Sequence, residues 1–180
     1  VRSSRYDDIT HGVDNILVNR KTGDVVCALD EVSPAGGMMS RDPRFLEKSE
    51  MVLNRNLGKV THNGGTIKET TIVSKNCGAK LKYGPHLEGG VLSSREVDNL
   101  PIFLLALDME HLNTVLQKFS PDGKSLGQEK LLYQYFLLSI AGQIKRLKLF
   151  GRDYENLPKD LKKRIESFEA FLNEEMPQLK

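Results

Sequence analysis

Tryptophan is absent from the 180-residue sequence, and aromatic residues make up only 7% of it. The sequence therefore does not predict a surface on which aromatic side chains stack the bases of single-stranded nucleic acid. Long apolar runs are absent as well. The longest, Ile102 to Leu107, is far shorter than the roughly 20 residues that a membrane-spanning helix requires. A membrane partner is therefore not expected.

Cysteine is scarce too, since the two cysteines, Cys27 and Cys77, form no CxxC pair and have no histidines at zinc-ligand spacing. A disulfide framework is not expected, and a reducing, cytoplasmic environment is the simpler interpretation. The patterns GxGxxG, GxxxxGK(S/T), GxSxG and HExxH are also absent. Their absence argues against a nucleotide cradle, a hydrolase nucleophile elbow and a zinc protease.

Charge of either sign is nearly balanced, with 26 Lys and Arg residues against 24 Asp and Glu residues and a net charge of +2. The chain is thus not a strongly basic protein, although a local basic face beside an acidic site remains compatible with this total. Basic residues gather between Lys145 and Arg164. A phosphate-binding face is one interpretation, and a solvated surface balanced by neighbouring acids is the one that we favour.

The clearest structural pattern is an N-terminal β-hairpin, in which two apolar segments, Ile16–Val18 and Val25–Val32, flank a polar turn. Asp14 opens the first strand, while Asp30 and Glu31 close the second. Because the start of one antiparallel strand lies beside the end of the other, we expect Asp14 near Asp30 or Glu31. Side chains alternate along a strand, so only one of those two acids should join Asp14.

The remainder of the chain predicts a series of further elements. These are a helix from Asp42-Pro43 to Leu57, strands at 66–74 and 79–83, turns at Gly84-Pro85 and Gly89-Gly90, a buried strand at 100–107, a helix capped by Asp108, a long helix at 128–150 and a last helix from Pro158. Together they predict an α/β fold, with a central mixed sheet that contains the N-terminal β-hairpin, flanking helices and C-terminal helices. We expect one domain over 1–180, with a helical extension from about residue 120 to 180.

The hairpin also carries a recognisable motif. The segments Gly12–Asp14 and Leu29–Ser33, each attached to an apolar strand, resemble the PD-(D/E)XK nuclease superfamily. That superfamily places an Asp at the start of one strand and an (Asp/Glu)-x-Lys triplet on the next, and the resemblance covers about the first third of the chain. It implies a restriction-endonuclease-like fold and hydrolysis of phosphodiester bonds in nucleic acid, with DNA as the expected substrate and Mg²⁺ or Mn²⁺ as the cofactor.

The resemblance also implies roles for individual acids. Asp14 would be the shared metal ligand, and Asp30 or Glu31 would be the second. Asp8 is a candidate for an additional ligand, and His11 could reach the metal or the phosphate, although a loop histidine without such a role is the alternative. A metal held there would activate a water molecule and offset the charge of the phosphate.

The chain departs from the motif at the lysine. That position is Ser33 if Glu31 is the ligand, or Val32 if Asp30 is, and neither residue carries a positive charge. Lys48 on the following helix is the candidate that replaces it as a catalytic residue, with Arg44 as a second choice. The alternative interpretation of Lys48 is a solvated lysine on the helix face.

Two other functions remain open. The first is a nuclease-like domain that has lost activity and binds nucleic acid or a protein partner, which the missing motif lysine favours. The second is an α/β interaction domain unrelated to nucleases. Nucleases of this type often work as homodimers, and the long C-terminal helices could supply such an interface.

Overall fold

The computed structural model describes residues 1–20, 22–32, 42–59, 77–106 and 128–175. Within these ranges the elements, in chain order, are α1 (Arg5–His11), β1 (Asn15–Val18), β2 (Val25–Val32), α2 (Pro43–Asn56), β3 (Ala79–Glu88), β4 (Val91–Leu100), β5 (Ile102–Ala106), α3 (Gln128–Lys148), α4 (Arg152–Glu155) and α5 (Lys159–Glu175). No helix among the described residues is long and apolar enough to cross a membrane. The chain is mixed α/β, as predicted.

The N-terminal hairpin forms as expected and belongs to a three-stranded mixed sheet. β1 and β2 are antiparallel, with Asn15 opposite Leu29, and β5 lies parallel to β2 on its other side, with Leu104 opposite Asp30. The central strand is the most apolar, and Ala28 in its middle is fully buried. The prediction of a central mixed sheet containing the hairpin is thus confirmed.

Helix α2 begins and ends where the sequence signals place it. The Asp42 side chain accepts a hydrogen bond from the backbone N–H of Arg44 at 2.9 Å, and Pro43 occupies the first turn. Val52 and Leu53 are buried against the sheet. This face orients the helix across the strands that carry the acids.

The outer edge of β5 is bonded to amide side chains. Asn56, which is 1% exposed, donates from Nδ2 to the carbonyl of Ile102 at 2.7 Å and accepts from the N–H of Ile102 at 3.0 Å. Gln143 of α3 forms the same pair of bonds with Leu104, both at 2.8 Å. Two helices are therefore fixed to the strand by side chains that imitate a neighbouring strand.

The second hairpin differs from the prediction in two respects. β3 continues through Gly84-Pro85, where a turn was expected, and the chain reverses at Gly89-Gly90, which was predicted. A Cβ on Gly84 would lie 2.6 Å from a methyl of Val97, so this glycine permits close strand packing rather than a turn. β4 was not predicted because most of its side chains are exposed and polar.

The predicted strand at 100–107 is shorter than expected. Leu100 ends β4, Pro101 lies between the strands, and β5 begins only at Ile102. The predicted strand at 66–74 and the predicted helix capped by Asp108 lie outside the described residues.

The C-terminal helices agree with the sequence pattern. α5 buries the four apolar residues expected of it, Leu161, Ile165, Phe168 and Leu172. Phe168 meets Phe103 of β5 with ring centroids 5.9 Å apart. Several basic residues of this region pair with acids, including Lys148 with Glu169 and Lys162 with Glu155, which supports a solvated surface.

Replacing Asn56 with Ala tests how strongly the edge amides hold the fold. Asn56→Ala removes two hydrogen bonds and leaves the buried N–H and C=O of Ile102 without partners, so the free energy of unfolding should fall by roughly 2–5 kcal/mol. Urea unfolding measures this. Asn54→Ala, at a half-buried position on the same helix, should cost less than about 1 kcal/mol. Equal losses in both variants would contradict the assignment.

Candidate functional site

Asp14 and Asp30 lie together at the open end of the first hairpin. Extending the register of Asn15 and Leu29 by one residue places the two acids opposite each other. Asp14 Oδ2 accepts a hydrogen bond from the backbone N–H of Glu31 at 2.8 Å, which fixes this carboxylate across the strand. The carboxylate of Asp14 is also near enough to raise the pKa of Asp30. One of the two pairings left open by the sequence is therefore realised.

Asp30 is a buried carboxylate, only 4% exposed, with charges of both signs close to it. Burial raises its pKa most, the hydrogen bond and charge of Lys48 lower it, and the neighbouring Asp14 raises it again. The net pKa lies above its ordinary value, because the charge of Lys48 does not fully offset the effects of burial and of Asp14. Any further positive charge placed close to the pair would favour the ionised form of Asp30.

Lys48 reaches the carboxylate pair from helix α2. Its Nζ lies 2.8 Å from Asp30 Oδ1, so this lysine faces the acids rather than lying on a solvated helix face. Arg44, the second candidate, is exposed and pairs with Asp42 at 3.6 Å.

The other two predicted acids are placed differently. Glu31 is exposed, and its Oε1 accepts a hydrogen bond from Asn15 Nδ2 at 2.7 Å. Strand alternation directs it to the face opposite Asp30. Asp8 lies half-buried on α1. In the part of the chain that the structure describes, no three His, Cys, Asp or Glu residues are arranged to hold a metal ion.

The substitutes at the motif lysine position add no charge. Val32 is half-buried and packs against the apolar cluster beneath the sheet. Ser33 lies outside the described residues. Lys48 is thus the positive group that the described structure brings to Asp30 by direct contact.

Arg55 is a site residue that the sequence reasoning missed. Its guanidinium donates to the backbone carbonyls of His11 and Gly12, the second at 3.3 Å. Burial lowers the pKa of Arg55, and the charge of Asp30 opposes that effect. Arg55 follows Lys48 by seven positions, which places both on one helix face. That spacing was the available signal.

A second missed residue is Asp7, which is fully buried. Ser4 Oγ donates to its Oδ2 at 2.7 Å, the backbone N–H of Lys82 donates to its Oδ1 at 2.7 Å, and that of Tyr83 donates to Oδ2 at 3.2 Å. His11 Nδ1 lies 2.9 Å from its Oδ1. The histidine proposed for the metal or phosphate is therefore held by Asp7, and Asp7 fastens α1 to β3.

Comparisons of the chain with protein-family models, with curated proteins and with solved structures found no match. Function must therefore be inferred from the residues themselves. Among the described side chains, the group best suited to metal binding or catalysis consists of Asp14, Asp30 and Lys48. Two carboxylates and an ammonium meet there.

The role of Asp7 predicts a pH dependence. Burial pushes its pKa up, but the hydrogen bonds from Lys82, Ser4, His11 and Tyr83 outweigh this and hold the pKa below the ordinary 3.8. A carboxylate with a lowered folded-state pKa stabilises the protein above its ordinary pKa, and this contribution is lost as the pH falls through the lower folded value.

Asp7→Asn should accordingly reduce the free energy of unfolding by about 1–3 kcal/mol at pH 7, since an amide nitrogen cannot accept the N–H bonds. The difference from the parent should shrink as the pH falls below 3.8. Urea unfolding at pH 7 and at a pH below 3.8 measures the difference in the free energy of unfolding. Asp8→Asn is the neighbouring control, and a pH-independent loss in Asp7→Asn would contradict the prediction.

Proposed function

We propose that the chain is a metal-dependent nuclease of the PD-(D/E)XK type that hydrolyses phosphodiester bonds of DNA. The observation that carries the proposal is the adjacent pair Asp14 and Asp30, with Lys48 Nζ 2.8 Å from Asp30. Acids alone would repel a phosphate, so the ammonium at the same place is essential to this interpretation. The order of hairpin, helix and parallel strand is compatible with the restriction-endonuclease-like fold that we propose.

The donor set fits Mg²⁺ or Mn²⁺. Hard divalent ions prefer oxygen ligands, and Mg²⁺ is commonly held by one or two carboxylates together with waters and substrate phosphate. Asp14 and Asp30 would hold the ion. Burial, and to a lesser extent the neighbouring Asp14, raises the pKa of Asp30, and a cation bound beside it would favour its ionised form. When bound, a metal of this kind lowers the pKa of a coordinated water and offsets phosphate charge.

The protein residues orient the metal ligands and supply positive charge. The N–H of Glu31 orients Asp14, and Lys48 supplies from the helix the positive charge that the motif usually carries on the strand. Arg55 adds charge balance near Asp30. Hydrolysis adds one water across a P–O ester bond, leaving one end with a phosphomonoester and the other with a hydroxyl.

Cleavage assays with site variants test the proposal. DNA incubated with the protein and Mn²⁺ should be cut, and Asp14→Ala or Lys48→Gln should slow cutting by a factor of roughly 100 or more, because each removes part of the charge stabilisation. Gel electrophoresis over time measures the rate. Asp160→Asn, an exposed acid on α5, should cut like the parent. Equal cutting by Asp14→Ala would contradict catalysis at this site.

A specific observation also favours a second function, a nuclease-like domain that has lost activity and binds nucleic acid or a protein partner. Lys48 already pairs with Asp30, and only two acids meet at the site among the residues described. In this alternative the ion pair is purely structural and no metal is bound.

Metal-dependent stabilisation separates the two functions. A ligand present at 100 times its Kd stabilises the folded state by about 2.7 kcal/mol, so the nuclease should show a clear rise in Tm with Mn²⁺. Asp14→Ala should abolish that rise. Lys48→Gln should keep or enlarge the rise in Tm, because the ammonium no longer competes for Asp30, although it slows cutting. Differential scanning fluorimetry measures this, and a parent without any rise favours the inactive domain.

A further inference from the structure

Two tyrosines and a lysine form an exposed group that we call the tyrosine–lysine cluster, consisting of Tyr6, Lys82 and Tyr83. The two rings meet edge to face with centroids 5.7 Å apart. Lys82 Nζ lies 4.9 Å from the centroid of Tyr6 and 5.5 Å from that of Tyr83. Tyr6 is 42% exposed and Tyr83 is 46% exposed. The scarcity of aromatic residues predicted no such surface, but the fold brings together Tyr6 and Tyr83, which lie far apart in the sequence.

A β-bulge creates the cluster on the β3 side. Leu81 pairs with Val97 and Gly84 pairs with Arg95, so two residues of β3 lie opposite one residue of β4. Such a bulge redirects side chains, and here the consecutive Lys82 and Tyr83 are both exposed. Their backbone N–H groups donate to the carboxylate of Asp7.

Asp7 anchors the backbone on both sides of the cluster. It is fully buried and immediately follows Tyr6 in α1, so one carboxylate positions both tyrosines. The ring of Tyr6 also meets that of His11 at 5.5 Å between centroids, and His11 is itself bonded to Asp7. Exposed rings that are already fixed lose little conformational entropy when they bind a ligand.

The cluster is connected to the carboxylate pair. His11 lies three residues before Asp14, and its carbonyl accepts a hydrogen bond from Arg55, whose pKa the charge of Asp30 raises. Tyr6 and the proposed catalytic site are thus joined by the short segment that runs from α1 to β1.

The chemistry of the cluster complements single-stranded nucleic acid. Unpaired bases stack on exposed aromatic rings, and cations beside the rings attract the phosphates. Lys82 supplies one such cation, and Arg5 on α1 is exposed as well. In a double helix the faces of the bases are covered by neighbouring base pairs, so the rings have nothing to stack on.

We propose that the tyrosine–lysine cluster binds single-stranded DNA, with unpaired bases stacked on Tyr6 and Tyr83 and a phosphate beside Lys82. This deepens the proposed function by naming unpaired DNA as the substrate class, and its link to cleavage rests on that function. The binding itself needs no metal.

Fluorescence anisotropy with a labelled DNA single strand of about 12 nucleotides, in the presence of EDTA, tests the proposal. Tyr6→Leu/Tyr83→Leu should weaken the Kd about five-fold or more, whereas Tyr6→Phe/Tyr83→Phe, which keeps the rings, should bind nearly as the parent does. Tyr133→Leu is the matched control, since Tyr133 on α3 is 42% exposed, and its Kd should not change.

Lys82→Gln provides a second measurement that does not depend on the tyrosine variants folding. It should reduce the slope of log affinity against log salt by about 0.7, as expected for the loss of one contact to single-stranded phosphate. An unchanged slope, an unchanged Kd in a folded Leu double variant, or equal affinity of the parent for a single strand and its duplex would each overturn the proposal.

The two proposals can fail separately because the binding assay omits metal and the cleavage assay requires it. A parent that cuts DNA with Mn²⁺ but binds the single strand equally well without the rings refutes the cluster alone. A parent that binds through the rings but never cuts refutes the nuclease alone.

Discussion

Buried polar side chains fix the helices of this protein to its strands. The described residues bury three polar or charged side chains, Asp7, Asp30 and Asn56, and each joins a helix to a strand. Asp7 of α1 binds the backbone of β3, Asn56 of α2 binds β5, and Asp30 of β2 binds Lys48 of α2. Buried polar groups are costly without partners, so these bonds restrict how each helix can pack.

The same restriction organises the candidate site. α2 carries Lys48, Arg55 and Asn56, and the amide bonds of Asn56 set the position of the helix against β5. Asp30 lies opposite Leu104 of that strand. The strand β5 therefore positions both the acid on β2 and the helix that carries the lysine. The strand pairing and the amide of Asn56 thereby hold the two mutually repulsive carboxylates and Lys48 in fixed relative positions.

Local patterns in the sequence predicted much of this arrangement. The hairpin followed from two apolar strands around a polar turn, and α2 from Asp42-Pro43. The geometry of antiparallel strands predicted that Asp14 lies near one of the two acids Asp30 and Glu31. Pattern alone could not decide between Asp30 and Glu31, because that choice depends on the strand register, which a shift of one residue reverses.

The missed features depend on long-range contacts. β4 is largely exposed and polar, so it lacks the alternation by which strands are recognised. The exposure of Tyr83 next to Lys82 results from a bulge at which the N–H groups of both residues donate to Asp7, far away in the sequence. Arg55 could be found from its seven-residue spacing to Lys48, but its acceptors, two carbonyls near the N-terminus, could not.

The amides along β5 have a consequence for self-association. An open strand edge is a template on which another chain can add a strand, a route to both dimers and aggregates. At Ile102 and Leu104 that template is already filled by Asn56 and Gln143. A second copy could join the sheet here only after displacing both side chains, so any pairing of copies is directed toward other surfaces of the molecule.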